Sequence, residues 1–375
     1  MKESFPLKLL FVSVSLIVLA IASCKKDNSN QVKPTPVVTN ATPTKFGLYE
    51  ADSSIYKLLY TYVSKIGTLD VTNSDYALIF DTGSGGMVID ANGILPSSMI
   101  TSTGFNFSGD STVVDGITIY NQTSTIEYGD DANTTDKVYG NLAYASVTLG
   151  DENGNIVIKR LPFFLYYKAV HSNTNKPYPP HEFDVLGVSP EYDVTFQNNA
   201  YVTSPFSYFD PGTGLTKGFK MAAIGTNNFS LDGTFVPGVV TLGLTASDLS
   251  SGFIMHQLSY ASGDGYAPVI PVSLTYNNKN INTYAIFDTG TEPYSYIEDT
   301  SAADTALLLP KSSGVSLSST PGFSYSYTIS ATDNLTYVEN PSSSKSNVSV
   351  ISLEFFLNNE YLLDFIDHKL GLKNN

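Results

Sequence analysis

Two short segments of this chain carry the same five residues, Ile-Phe-Asp-Thr-Gly. The first copy lies within Leu78–Gly83 and the second within Ala285–Gly290, so Asp81 and Asp288 occupy equivalent positions. A single Asp-Thr-Gly is ordinary turn chemistry, because aspartate hydrogen-bonds the backbone that follows it and glycine tolerates positive φ. Two copies behind matching apolar strands indicate instead a pair of carboxyl groups that act together.

Paired carboxyl groups can catalyse the addition of water to a polar bond. If the two halves of the chain are related by a pseudo-twofold axis, the two turns meet at that axis and the carboxyl groups face each other. Like charges that close cannot both ionise cheaply, so the pair shares one proton. One carboxylate then activates a water as general base, while the other protonates or hydrogen-bonds the substrate carbonyl. The sequence leaves open which of Asp81 and Asp288 holds the proton.

The segments that lead into both turns are typical of β-strands. The chain is rich in Tyr (25) and Phe (21), and Gly (28) and Pro (19) interrupt it at short intervals. This composition predicts many short strands joined by turns. The clearest strand patterns are Tyr56–Val63, Tyr76–Phe80, Ser124–Tyr128 and Leu142–Gly150 in the first half, and Gly238–Gly243, Ala267–Tyr276 and Asn282–Gly290 in the second. The repeated theme indicates a diverged duplication with its boundary in the turn-rich segment Phe209–Gly218.

Three further segments fit a known arrangement around the two turns. Ile126–Gly150 has the pattern of a hairpin with Tyr128-Gly129 near its tip and Gly140, Tyr144 and Gly150 on the returning strand; Phe183–Pro190 reads FDVLGVSP; Val350–Lys373 follows in the second half. Ser84 follows the first Asp-Thr-Gly and Thr291 follows the second. In this order, the five segments resemble those of pepsin-like aspartic proteases, and the resemblance runs from residue 46 onward.

The resemblance implies an all-β, bilobal pepsin-like aspartic protease fold with an active-site cleft between two related β lobes, residues 46–215 and 216–375. It implies an endopeptidase that cleaves a polypeptide lying between the hairpin, or flap, and the catalytic residues Asp81 and Asp288. Thr82 and Thr289 would brace the two loops. The implied substrate-binding residues are Gly83, Ser84, Tyr128, Gly129, Gly290 and Thr291. We expect a monomer with no metal and no cofactor.

The chain departs from the family pattern at three places. The flap tip is longer and carries Asp130, Asp131 and Asp136, which is expected to alter access and substrate preference. The chain has no Trp, although the family often uses one to hold the flap tyrosine. Leu353-Glu354 occupy the place where the resemblance expects Gly-Asp, so the support of the second loop is expected to differ. None of these departures removes a catalytic carboxyl group.

The N-terminus has the pattern of a lipoprotein signal. Lysines precede an apolar run that ends in Ile21-Ala22-Ser23-Cys24, which resembles the lipobox of bacterial lipoproteins, and Cys24 is the only cysteine. The run is too short for a comfortable membrane span. The pattern predicts a signal peptide at residues 1–23 and a polar, lipidated tether at residues 24–45. The protein would then be anchored by lipid in the cell envelope, at the bacterial outer membrane, facing the periplasm or the cell surface.

Other chemistries find little support in the sequence. The net charge of −15 disfavours a nucleic-acid partner. The four histidines, His171, His181, His256 and His368, lack the spacing of metal ligands. Two alternatives remain open: a non-catalytic pepsin-fold lipoprotein that binds peptides or inhibits proteases, and a cell-surface glycan-binding β-protein. Both Asp-Thr-Gly copies favour the enzyme.

Overall fold

A computed structural model describes residues 41–52, 57–71, 76–129, 135–225, 228–250, 252–291 and 294–375. Cys24, the predicted signal peptide and flap residues Asp130 and Asp131 lie outside the described residues. Within the described ranges, no helix is long and apolar enough to cross a membrane.

Short strands make up most of the described chain, as the composition predicts. In the first half they are β1 (Thr44–Asp52), β2 (Lys57–Ile66), β3 (Leu69–Asp70), β4 (Ala77–Asp81), β5 (Gly85–Asp90), β6 (Ile100–Thr101), β7 (Gly104–Phe105), β8 (Ser111–Val114), β9 (Ile117–Tyr128), β10 (Asp136–Asp151), β11 (Gly154–His171), β12 (Val185–Val188), β13 (Val194–Thr195) and β14 (Tyr201–Val202). In the second half they are β15 (Thr216–Met221), β16 (Thr234–Leu244), β17 (Ile254–Gln257), β18 (Ile270–Tyr276), β19 (Lys279–Phe287), β20 (Tyr294–Glu298), β21 (Leu307–Leu308), β22 (Gly314–Ser319), β23 (Ser324–Thr328), β24 (Leu335–Glu339), β25 (Val348–Ile351), β26 (Asn359–Asp364) and β27 (Lys369–Asn374).

Helices are few and short. In the described ranges, two are α-helical, α1 (Ala246–Ser250) and α2 (Pro341–Ser344), and three are short 3₁₀ helices, at Ser97–Met99, Pro205–Tyr208 and Leu353–Leu357. The predicted all-β class is confirmed.

Most strands belong to two large sheets. The first has the order β17-β27-β26-β15-β16-β1-β2-β4-β12-β5-β11-β10-β9-β8, with β3 paired to β2. It continues across the predicted lobe boundary at residue 215, because β1 pairs antiparallel with β16. The second sheet has the order β21-β24-β20-β25-β19-β18-β22-β23 and lies wholly in the second half. The first sheet therefore ties the two halves together.

The same three-strand arrangement occurs once in each half. In the first half, β12 pairs parallel with β4 and antiparallel with β5. In the second half, β25 pairs parallel with β19 and antiparallel with β20. Each Asp-Thr-Gly copy lies at the end of the first strand of its set, since Asp81 is the last residue of β4 and Asp288 directly follows β19. The duplication seen in the sequence is therefore also present in the strand pairing.

Alternating burial explains how these strands aim the two aspartates. Leu78 and Phe80 in β4 are buried in the core, as are Ala285 and Phe287 in β19. Because side chains alternate between the faces of a strand, burial of these pairs fixes the direction in which each strand delivers its aspartate. Core packing thus positions the residues of the loops.

Candidate active site

The first Asp-Thr-Gly copy forms a tight loop between β4 and β5. The carboxyl group of Asp81 accepts two hydrogen bonds from its own loop, from the Gly83 N–H to Oδ1 at 2.7 Å and from the Ser84 hydroxyl to Oδ2 at 2.5 Å. Both oxygens are thereby fixed in orientation.

The second loop repeats this geometry. Asp288 accepts hydrogen bonds from the Gly290 N–H to Oδ1 at 2.7 Å and from the Thr291 hydroxyl to Oδ2 at 2.5 Å. The Thr291 hydroxyl thus fixes the second aspartate in the same way as the Ser84 hydroxyl fixes the first. The predicted floor residues Gly83, Ser84, Gly290 and Thr291 all lie at the two carboxyl groups.

Thr82 and Thr289 join the two loops by reciprocal hydrogen bonds. The Thr82 hydroxyl donates to the Phe287 carbonyl at 2.8 Å, and the Thr289 hydroxyl donates to the Phe80 carbonyl at 2.7 Å. Each hydroxyl oxygen also accepts the backbone N–H of the other threonine at 3.0 Å. Both threonines are completely buried, so these bonds lock the relative position of the loops.

The glycine of each loop contacts the aspartate of the other loop. A Cβ added at Gly83 would lie 2.4 Å from the Asp288 carboxyl carbon, and a Cβ added at Gly290 would lie 2.8 Å from the Asp81 carboxyl carbon. Only glycine permits this approach, since neither contact leaves room for a side chain. The two carboxyl groups therefore face each other across the loops, which the sequence analysis predicted from the repeated segments.

Burial and the neighbouring carboxyl group affect the titration of Asp81. Burial, the charge of Asp288 and a hydrogen bond to the Asp288 carboxyl group together raise the pKa of Asp81 well above its usual value. The bonds from Ser84 and Gly83 act in the opposite direction and lower this pKa. Both aspartates are nevertheless partly accessible to solvent. The two groups are placed to share one proton within reach of a water.

Equivalent strands support the two loops from below. In the first half, Gly187 lies opposite Asp81, and a Cβ on Gly187 would lie 2.7 Å from the Ser84 backbone. In the second half, the Asp288 N–H donates to the Ile351 carbonyl at 2.8 Å. The second support has no matching glycine, since Ser352 follows Ile351 and donates its N–H to the Ser295 hydroxyl at 3.0 Å.

Glu354, one of the two departures in this region, has a partner in the other half of the chain. Its carboxylate lies 3.2 Å from the Lys57 ammonium of β2 and accepts the Asn334 N–H. The altered Leu353-Glu354 pair therefore leaves the strand support in place and adds an ion pair between the halves.

The predicted flap is present as the β9–β10 hairpin. Tyr128 lies opposite Asp136 at its described end, and Gly129 follows with φ of 106°. Burial and the charges of Asp193 and Asp81 raise the pKa of the Tyr128 hydroxyl. Asp136 pairs with His171 at 2.9 Å, on the neighbouring strand.

Phe183 holds the flap tyrosine in this chain, which has no Trp. The rings of Tyr128 and Phe183 stack with centroids 5.6 Å apart, and Tyr178 packs edge-on against Phe183 at 4.9 Å. The sequence analysis placed Phe183 in one of the segments around the two turns and missed this contact with the flap. The aromatic residues at positions 178 and 183 were the feature of the sequence that could have predicted this contact.

Two acidic residues near the aspartates were also missed. Glu191 and Asp193 directly follow the segment that passes beneath the first loop, and Asp193 accepts the Gly85 N–H at 2.6 Å. Burial and the charges of Asp193, Asp81 and Asp288 raise the pKa of Glu191 well above its usual value. Burial and the charge of Asp288 raise the pKa of Asp193 to about 7. Their position just after FDVLGVSP was the signal in the sequence.

The histidines occupy structural positions. His181 lies 2.9 Å from Asp184, His256 contacts the Ser319 hydroxyl at 2.6 Å, and His368 stacks on Tyr266. Among the described residues, no group of three His, Cys, Asp or Glu side chains is placed to hold a metal ion.

Comparison with known proteins identifies the fold. No protein-family model and no curated protein matches the chain. Among solved structures, the chain is similar to the aspartic proteinase from Irpex lacteus, with a TM-score of 0.55 and 16% identity over 88% of this chain and 98% of that one. It is also similar to Basic 7S globulin from soybean, with a TM-score of 0.51 and 11% identity over 89% of this chain and 96% of that one. The predicted bilobal pepsin-like fold is confirmed.

Proposed function

We propose that the protein is an aspartic-type endopeptidase that hydrolyses peptide bonds with a water activated by Asp81 and Asp288. The observation that carries the proposal is the mutual arrangement of the two carboxyl groups. Each is held by two hydrogen bonds from its own loop, and each contacts the glycine of the other loop. A titratable group whose pKa is raised by burial and by a neighbouring charge, as that of Asp81 is, is typical of catalytic acids and bases.

In this mechanism the pair begins with one proton between its two carboxyl groups. The ionised member takes a proton from the attacking water, and the protonated member donates to the carbonyl oxygen of the scissile bond as negative charge develops there. Both groups are partly accessible, so the water and the carbonyl can reach them. The chemistry needs no residue beyond the pair and no cofactor.

The surrounding residues would bind an extended polypeptide. The backbone of Gly83 and Gly290, with Ser84 and Thr291, forms the floor beside the carboxyl groups. Tyr128 and Gly129 of the flap would cover the substrate from the opposite side, and Thr82 and Thr289 keep the two halves of the floor in register. Binding between floor and flap would hold the scissile bond close to both carboxyl groups.

We further propose that the enzyme acts as a lipid-anchored monomer in the bacterial cell envelope. This location rests on the Ile-Ala-Ser-Cys segment that ends at Cys24. Its substrate would be a polypeptide of the periplasm or the cell surface, depending on the membrane face that the anchor occupies.

A second candidate is a non-catalytic pepsin-fold protein that binds peptides or inhibits proteases. The similarity to Basic 7S globulin favours it, because this fold also occurs in a protein whose name is that of a globulin rather than a proteinase. A fold alone does not define an activity. The carboxyl pair distinguishes the two candidates, since a binding protein has no need of a shared proton.

A peptide-library digest across pH 3 to 8 tests the proposal. We expect the wild-type protein to cleave with a bell-shaped pH dependence, since one carboxyl group must be protonated and the other ionised. Asp81→Asn and Asp288→Asn should each lower kcat by about 10³-fold or more, because each removes a titrating group while keeping its shape. Asp304→Asn, at an exposed carboxyl group, serves as the control.

Two outcomes would contradict this proposal. Cleavage that persists in both Asn variants would move the activity to another site. A wild-type protein that cleaves no peptide at any pH, but binds peptides in a calorimetric titration, would establish the non-catalytic candidate.

A further inference from the structure

The segment that follows β12 wraps closely around the first catalytic loop. The Ser189 N–H donates to the Ser84 carbonyl at 2.9 Å, and a Cβ on Gly85 would lie 2.5 Å from the Glu191 carbonyl oxygen. The Gly85 N–H in turn donates to Asp193 Oδ2 at 2.6 Å. The backbone thus fixes two more carboxyl groups, those of Glu191 and Asp193, beside the catalytic pair.

Asp193 is held beside the first catalytic loop. Its charge raises the pKa of the flap residue Tyr128, and the charge of Asp288, in the second loop, raises its own pKa. Gly85 directly follows Ser84, whose hydroxyl donates to Asp81 Oδ2, so the bond from the Gly85 N–H holds the Asp193 carboxyl group beside the first catalytic loop. Its side chain is exposed there, although protein surrounds it closely enough to disfavour the charged form.

No cation balances this group of acids in the described part of the chain. The ion pairs formed by the described lysines and histidines involve other carboxylates, and none includes Asp81, Asp288, Glu191 or Asp193. A carboxylate that is partly desolvated and lacks a counter-charge is costly to ionise. Binding of a positively charged ligand would offset the free-energy cost of ionising these carboxyl groups.

A buried hydroxyl affected by the same acids also lacks a partner. Tyr361 in β26 is completely buried, and among the described residues its hydroxyl has no hydrogen-bond partner. Burial and the charges of Glu191, Asp288 and Asp81 all raise the pKa of this hydroxyl. Buried polar atoms almost always have a partner, and an orphaned one indicates that a ligand or a water completes the site.

We propose that Asp193 and Glu191 form a substrate subsite that binds the ammonium or guanidinium group of a lysine or arginine side chain next to the scissile bond. The proposal rests on the proposed function for the placement of the peptide. Asp193 has one carboxylate oxygen, Oδ1, beyond the one that accepts the Gly85 N–H, and a cationic side chain would donate a charge-assisted hydrogen bond to it. The net charge of −15 would also attract basic polypeptides.

Matched peptides measure this preference directly. Each peptide carries lysine, arginine, norleucine or glutamate at one position on either side of the scissile bond. We expect kcat/KM for lysine or arginine at one position to exceed that for norleucine by about 10- to 100-fold, the range expected for a hydrogen bond to a charged group. The ratio should fall as salt is added, because ions screen the attraction.

Variants at the two acids identify the residues responsible. Asp193→Asn should bring the lysine-to-norleucine ratio close to one, Glu191→Gln should lower it, and Asp193→Glu should restore most of it. Asp193→Lys should favour the glutamate peptide. Thermal unfolding of each variant establishes that it is folded, and Asp304→Asn is the matched control for loss of an exposed acid.

The outcomes separate this inference from the proposed function. If the wild-type protein cleaves lysine and norleucine peptides equally at every position, the subsite is wrong and the protease proposal stands. If it cleaves neither, calorimetry with the same peptides decides: tighter binding of the lysine peptide that is lost in Asp193→Asn supports the subsite without catalysis. Equal binding of both peptides, or no binding, overturns the subsite.

Discussion

At the scale of single residues, the two aspartates depend on each other for position and for charge. Thr82 and Thr289 each use one hydroxyl group as donor to the opposite strand and as acceptor from the opposite loop. Valine at either position would keep the shape and lose both bonds. The close pairing that results brings two carboxyl groups together, and their repulsion is a stability cost that the rest of the molecule must offset.

This cost predicts a pH-dependent gain of stability in Asp81→Asn. The pKa of Asp81 is higher in the folded than in the unfolded protein, so the folded protein holds the extra proton between these two values. Stability therefore falls as pH rises through this window. Since each pKa unit corresponds to ~1.4 kcal/mol, Asn should stabilise the protein by about 1 kcal/mol or more at pH 7 and by much less at pH 3.

Urea unfolding of the wild-type protein and Asp81→Asn at both pH values measures the difference. Asp304→Asn should show no such pH dependence. Equal effects of Asp81→Asn at pH 3 and pH 7 would show that the pair does not titrate as the geometry indicates.

At the scale of secondary-structure elements, the flap depends on the segment before β12. Phe183 stacks on Tyr128 and is itself held by Tyr178. Phe183→Ala removes the ring that stacks on Tyr128, so Tyr128 should lose its fixed position over the cleft. We expect a loss of about 10-fold in kcat/KM, mostly through a higher KM, because the flap contributes binding more than bond-breaking.

Steady-state kinetics on one peptide substrate tests this expectation, with Phe183→Trp as the variant that should restore stacking. Phe253→Ala, at a partly buried ring beside Lys373, is the matched control. A fall in kcat with unchanged KM would assign Phe183 to the support of the first loop instead.

The sequence predicted those parts of the site that are local and repeated. Asp81 and Asp288, with the threonine and glycine after each, were recognisable because each copy carries its own strand and turn. Glu191 and Asp193 were not recognisable in this way. Their place beside the first loop depends on the path of the chain after β12, and the Gly85 residue that contacts Asp193 lies more than a hundred residues earlier. The Lys57–Glu354 pair joins residues 297 apart and has no local signature. Residues whose role depends on distant packing could not be predicted from spacing alone.

At the scale of the whole molecule, the halves are joined by the first sheet and by the Lys57–Glu354 ion pair. The Glu354 side chain is 5% exposed. Lys57→Met would leave its carboxylate buried without a counter-charge, a loss of about 3–5 kcal/mol at pH 7. The loss should be smaller at pH 4, because burial raises the pKa of Glu354 and its neutral form tolerates the site.

Two comparison variants make this test specific. Lys57→Met/Glu354→Gln should recover part of the lost stability, since no charge remains buried. Lys65→Met removes the exposed ion pair with Asp70 and should cost less than about 1 kcal/mol. Similar losses in Lys57→Met and Lys65→Met would show that the pair between the halves contributes little.

Attachment to the membrane is the other prediction at this scale. Cys24→Ser should convert a membrane-associated protein into one that is soluble or remains uncleaved, because acyl chains hold such proteins to a bilayer. Phase partition into detergent measures the change. Unchanged partition would place the attachment elsewhere in the protein.

The reciprocal hydrogen bonds of the two threonines also determine when the site can form during biosynthesis. Thr82 and Thr289 are 207 residues apart, and contacts at such separation form late because a long loop must first close. A nascent chain that has been synthesised only through the first aspartate lacks the second loop, whose threonine would fix the first loop in position. If the chain is exported as proposed, it passes through translation and translocation without a completed pair of aspartates. The proposed hydrolytic activity would then arise only after both halves have left the ribosome and folded together, which would protect the cell that makes the protein.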